Sequence, residues 1–347
     1  MNFASDNWAG ATPEVMAALG RANEGFAPAY GDDALTAKVK ERFAEVFEHE
    51  VEVWFTGTGT AANSLSLSGL AQPGGVVFAG EEAHVNADES GAFEFQSGGM
   101  KLIGLRSPDG RIGPEAFAAA LARHPDGGRS VPVALSLTNA TEWGTVYAPA
   151  QVAELSAIAR GRGLAVHVDG ARFGNAVAAT GATPAELTWQ AGVDFMSFGA
   201  TKNGAWAAEA IVCFRPGLFA GMEQRRQRAG HVFSKARFVA AQFEAYFEDG
   251  NWLRWAGHAN AMSERLRAGL RGSNRARLAW ESEANEVFAV VPVEVLHAVQ
   301  EAGGAMHEWL AETAAEDRRP GAGEVMVRMV TSWATTGDEV ERFLGLL

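Results

Sequence analysis

From residue 51 to residue 214 the chain alternates between short apolar runs and amphipathic stretches, with glycines at many of the joins. Val51–Thr56, Val76–Ala79, Lys101–Leu105, Val131–Leu137, Leu164–Val168, Asp194–Phe198 and Ala210–Phe214 read as strands. Ala61–Leu70, Glu82–Phe95, Pro114–Arg123 and Pro149–Arg160 read as helices, the last two opening on a proline whose missing N–H costs nothing at that position. This alternation predicts an α/β fold with a mostly parallel sheet covered on both faces. Ligands of such sheets sit at the carboxyl ends of the strands.

After about residue 216 the pattern changes to long helical segments, followed by strands Glu286–Val291 and Val325–Val330 alternating with helices Val293–Ala302 and Asp338–Leu346. The polar stretch Glu312–Glu324 reads as an exposed loop. The expected division is a large domain over 1–245, including an N-terminal arm, and a smaller α+β domain over 246–347. A content of 47% apolar and 20% charged residues supports a real core and excludes bulk disorder. With 29 basic against 42 acidic side chains, the net charge of −13 makes nucleic acid or an anionic membrane a poor partner. No apolar run approaches the ~18 residues of a membrane helix, and the opening residues lack the pattern of a signal peptide. A cytoplasmic protein is expected. The lone Cys213 can form neither an internal disulfide nor a thiolate metal cage, and no metal site is expected.

Three strand ends carry chemistry. Gly57-Thr58-Gly59-Thr60 lies where a strand gives way to a helix, so backbone N–H groups and hydroxyls there can meet an anion. It is neither a dinucleotide fingerprint nor a P-loop, and a plain turn has the same look. His167-Val168-Asp169-Gly170-Ala171-Arg172 brings an acid and an arginine to the sheet edge, either for a ligand or as a structural ion pair. Lys202 sits in the loop Ser197–Gly204, where partial shelter from water suits an amine that adds to an aldehyde. An anion cradle, an acid and an amine in that order on one sheet are what pyridoxal 5′-phosphate requires.

These segments resemble the threonine aldolase family of fold-type-I pyridoxal phosphate enzymes (aspartate-aminotransferase-like fold), and are similar to its low-specificity L-threonine aldolases. Phe3-Ala4-Ser5-Asp6-Asn7, Tyr30-Gly31-Asp32-Asp33, Thr56–Asn63, Ala83-His84, His167–Arg172, Thr201-Lys202 and Met326-Val327-Arg328-Met329-Val330 carry the likeness in order along essentially the whole chain. The resemblance implies that Lys202 forms the Schiff base and that Asp169 keeps the pyridine nitrogen protonated. It also implies that Arg172 faces the phenolate oxygen and lies near substrate, that Thr58, Gly59 and Thr60 hold the phosphate, and that His84 stacks on the ring. Ser5 and Arg328 would grip the substrate carboxylate, Tyr30 would reach substrate, and Arg228 and Lys235 would reach a neighbouring subunit's phosphate in a homotetramer with shared sites.

The implied reaction is cleavage of the Cα–Cβ bond of L-threonine, L-allo-threonine or a related β-hydroxy-α-amino acid such as phenylserine, giving glycine and an aldehyde. The base is open between His84, Asp88 and Glu142. His84 and Asp88 are four apart and would share a helix face. Glu142 stands where many family members carry a second histidine, and serves either as base or as a surface acid. Trp143 lines the aldehyde pocket or merely packs. The alternatives are a related lyase that expels a β-leaving group, a catalytically inactive homologue that binds the cofactor and, last, a non-pyridoxal α/β domain that binds some other phosphate.

Overall fold

The computed structural model describes all 347 residues, Met1–Leu347. Its larger sheet has seven strands: β1 (Glu52–Thr56), β2 (Gly75–Gly80), β3 (Lys101–Leu105), β4 (Val131–Thr138), β5 (Ala165–Gly170), β6 (Phe195–Gly199) and β7 (Glu209–Cys213). Their spatial order is β1-β7-β6-β5-β4-β2-β3. β2 to β6 pair in parallel, and β7 runs antiparallel to both of its neighbours.

Alternation within the strands builds a core on each face. In β2, Val76 and Phe78 join one cluster, while Val77 and Ala79 join the other. In β7, Ala210 and Val212 face the first, and Ile211 and Cys213 the second. The first face is covered by helices Pro13–Ala22, Ala34–Phe47 and Arg237–Phe247, and here Phe43 packs within 5.4 Å of the rings of Phe198, Phe243 and Phe247. The second is covered by helix Gly59–Ser68, whose residues from Ala61 onward are all buried.

The stretch expected as one helix over Glu82–Phe95 is two short ones, His84–Ala87 and Ala92–Ser97. Ser90 (φ 52°) and Gly91 (φ 73°) adopt left-handed conformations that break the helix between them. The Glu312–Glu324 loop contains two 3-10 turns, Ala311–Thr313 and Glu316–Arg318, and buries Ala314.

The second sheet is antiparallel in the order β10-β11-β9-β8, from β8 (Arg277–Leu278), β9 (Glu286–Pro292), β10 (His307–Glu308) and β11 (Glu324–Val330). Its core takes in Phe3, because the Phe3 N–H donates to the Ala305 carbonyl at 2.7 Å and the Val330 N–H donates to the Phe3 carbonyl at 2.8 Å. The N-terminal residues therefore join the C-terminal sheet. No helix is long and apolar enough to cross a membrane.

Candidate active site

The register of the large sheet aligns the ends of its strands. Thr138 pairs with Asp169 and Asp169 with Ser197; across β7, Glu209 pairs with both Gly199 and Thr56. The turns that follow these strands open into a cavity of about 600 Å³, closed from the other side by Ser5 and Asn7 of the N-terminal segment and by Glu286, Trp309, Leu310, Thr313 and Arg328 of the smaller domain. A methyl group on Gly199 would come within 2.9 Å of the Ala171 backbone and of a Glu209 carboxylate oxygen, so only glycine lets these turns approach so closely.

At the end of β1, the Thr58 hydroxyl caps helix Gly59–Ser68 by accepting the Ala61 N–H at 3.2 Å. The Gly59 and Thr60 N–H groups, in the first turn, are left for a ligand in the cavity. Asp169 is the penultimate residue of β5: its Oδ1 accepts the Ala171 N–H at 3.0 Å and its Oδ2 accepts from Asn63 at 2.7 Å. Lys202, in the 3-10 turn Thr201–Asn203, lines the cavity and forms no ion pair.

Arg172 does not pair with Asp169. Its guanidinium donates to Asp6 at 2.7 Å and lies 3.3 Å from Glu286. Burial pushes the Asp6 carboxyl up, but Arg172, Lys202 and Asn285 outweigh it and hold it below the usual carboxylate range. Glu286 is raised by its burial, with Arg172 and Arg328 offsetting only part of the effect. Arg328 stands on the site-facing side of β11 with its carbon stacked 4.6 Å over Trp309 and its Nε buried without a partner. A planar guanidinium with a spare donor fits a carboxylate.

Glu142 follows β4 and lines the cavity, where its Oε1 accepts the His84 N–H at 2.7 Å and the Thr138 hydroxyl at 3.2 Å. Burial, with the neighbouring Asp169 charge, pushes its carboxyl up to about 7. It is a cavity acid and not a surface one. Glu209 is likewise raised to about 7 by burial, with Thr201 and Lys202 opposing. Trp143 lines the cavity and also packs on Trp280 at 4.4 Å.

The expected His84–Asp88 pair does not form. The helix ends at Ala87, which leaves Asp88 at its C-terminal cap, lining the cavity, while the next residue, Glu89, accepts from His84 Nδ1 at 2.8 Å. That hydrogen bond raises the His84 pKa despite partial burial. Tyr30, Arg228 and Lys235 are exposed and lie outside the cavity of their own chain. Sequence reasoning gave no role to Asp6, Asn63, Glu89, Glu209 or Glu286. Asp6 and Asn63 lay within quoted segments, and Glu89 was one residue beyond the acid chosen.

Residues 2–295 match the family model described as beta-eliminating lyase. The chain is 43% identical to a low specificity L-threonine aldolase of a Pseudomonas species, over 87% of each protein. Its fold superposes with TM-score 0.90 on a threonine aldolase of Leishmania major, at 27% identity, covering 99% of this chain and 98% of that one. A serine palmitoyltransferase of S. paucimobilis solved with a bound pyridoxal phosphate adduct shares the fold at 17% identity and TM-score 0.69, covering 100% of this chain and 86% of that one. The chain thus belongs to the beta-eliminating lyase family, among its threonine aldolases.

Proposed function

We propose that the protein is a pyridoxal phosphate-dependent carbon–carbon lyase that cleaves L-threonine, L-allo-threonine and related β-hydroxy-α-amino acids to glycine and an aldehyde. The observation that carries this reading is the convergence of an unpaired lysine, a hydrogen-bonded strand-end aspartate and free helix N–H groups on one cavity. The buried, partnerless Nε of Arg328 adds a place for the substrate carboxylate. When bound, pyridoxal phosphate supplies an aldehyde for the Lys202 amine and a sink for the electron pair released at Cα.

The chain's own side chains do the rest. Asp169 would hold a proton at the pyridine nitrogen, Gly59, Thr60 and Thr58 would bind the phosphate, and His84 would cover the ring face. Arg172, held by Asp6 and Glu286, would meet the cofactor's phenolate oxygen and the substrate. Arg328 and Ser5 fix the substrate carboxylate, and so decide which Cα bond stands across the ring. Glu142 accepts the β-hydroxyl proton as the Cα–Cβ bond breaks, its pair goes to Cα, and the carbonyl of the aldehyde forms. A carboxyl poised near 7 suits that task. The cleavage is proton-neutral overall: the proton that Glu142 takes from the β-hydroxyl balances the one that Cα gains as glycine is released.

We further propose a cytoplasmic homotetramer in which Tyr30, Arg228 and Lys235 complete a neighbour's site. In support, the Tyr30 N–H donates to Ser234 at 3.0 Å, which sets Tyr30 beside Lys235 on a surface that also exposes Phe26.

The test is aldehyde and glycine release from L-threonine and L-phenylserine by the cofactor-loaded protein and its Lys202→Ala variant. Release is expected from the parent and not from the variant. Ammonia and a keto acid in place of glycine would establish β-elimination instead, and a cofactor-loaded parent that yields neither would overturn the aldolase reading.

A further inference from the structure

Between the cavity and helix Gly59–Ser68 runs a row of four polar side chains. His84 Nδ1 lies 2.8 Å from Glu89 Oε1, Asn63 Nδ2 lies 2.8 Å from the same oxygen, and Asn63 Nδ2 also lies 2.7 Å from Asp169 Oδ2. The chemistry leaves little freedom in who donates. Asn63 meets a carboxylate on each side, so its NH2 must face them, since its carbonyl would be repelled by both. Glu89 as a carboxylate can only accept, so Nδ1 of His84 carries a proton.

Packing does not account for this row. The Glu89 side chain is wholly buried, and both its Oε2 and the Asn63 Oδ1 lack any partner. A buried carboxylate with one idle oxygen is less favourable there than an apolar residue of similar size. Neighbouring positions on the same helix, Ala62 and Leu65, show that apolar residues pack there.

We propose that Asn63 and Glu89 are positioning residues that join His84 to Asp169 as one proton-responsive unit. The inference rests on the roles assigned above to these two end residues: one meets the face of the cofactor ring, the other its nitrogen. Glu89 sets the tautomer and plane of His84, and Asn63 carries a change of charge at Asp169 through to Glu89 and so to the imidazole. The charged groups around His84 are Glu82, Asp88 and Glu89 of its own segment, Glu142 after β4, Asp169 on β5 and Lys202 after β6. Only Glu89 and Asp169 are bridged by a shared amide.

The unit can be tested without substrate, so its failure and the failure of the aldolase reading are separate results. The His84 ring signal is followed against pH by NMR in the full-length protein, before and after loading with pyridoxal phosphate, with His84→Asn identifying the resonance. Glu89→Gln, nearly isosteric, is expected to lower the His84 titration. Asp169→Asn is expected to lower it in the parent, and by less than half as much in Asn63→Ala. Should Asn63→Ala not fold, the same comparison is made in Glu89→Gln, where the Asp169 effect should also shrink. An Asp169 effect of equal size with and without the bridge, or a His84 titration unmoved by Glu89→Gln, would overturn the proposal.

Discussion

Glu142 gathers the consequences of burial at a single side chain. Its carboxyl is raised to about 7 because water is excluded and Asp169 lies near, while the His84 N–H only partly offsets this. A base works in its ionised form, so kcat/KM should rise with pH through about 7 and level off above it. Glu142→Gln should remove that limb and lower kcat/KM by about 10²-fold or more; a rise through pH 7 that persists in the variant would shift the role to another group. The residues most legible in the sequence were those whose position follows from strand-end placement and motif order: Lys202, Asp169 and the Thr58–Thr60 turn. Glu89 was hidden because the choice of Asp88 assumed an unbroken helix. Asp6 and Glu286 were hidden for another reason, since the ion pairs of Arg172 join residues far apart in sequence.

The elements themselves were more legible than their partners. Lys101–Leu105 is a strand over the expected residues, and Pro114 and Pro149 open helices as their fixed φ suggests. Alternation marks a strand but not its direction, so the antiparallel run of β7 had no signature. Helix Ala34–Phe47 drew no notice in the sequence, yet it supplies Phe43, whose ring also lies 6.4 Å from Phe55 on β1. Phe43→Ala should therefore destabilise the fold by about 3–5 kcal/mol, seen as a lowered urea midpoint. A loss below about 1 kcal/mol would mean that the surrounding rings collapse into the space.

For the whole molecule, the sharing of sites between copies proposed above would tie cofactor affinity to assembly. Arg228→Ala leaves every residue of the chain's own cavity in place. It should still weaken pyridoxal phosphate binding about tenfold, or ~1.4 kcal/mol, without altering the far-ultraviolet circular dichroism. Cofactor titration together with sedimentation would check this, and an unchanged affinity would remove Arg228 from the shared site.

The clamp of Phe3 between Ala305 and Val330 also bears on how the protein is made. Ser5 follows closely on that clamp, so its place at the cavity exists only after residue 330 has left the ribosome. At about 5–20 residues per second, synthesis keeps the first segment waiting on the order of half a minute for the strand that will hold it. The strands of the large sheet all precede β11, but the amino acid could be held as proposed only once Phe3 meets Val330. Under the role proposed for Ser5, catalytic competence would thus wait on the pairing of two segments far apart in the sequence.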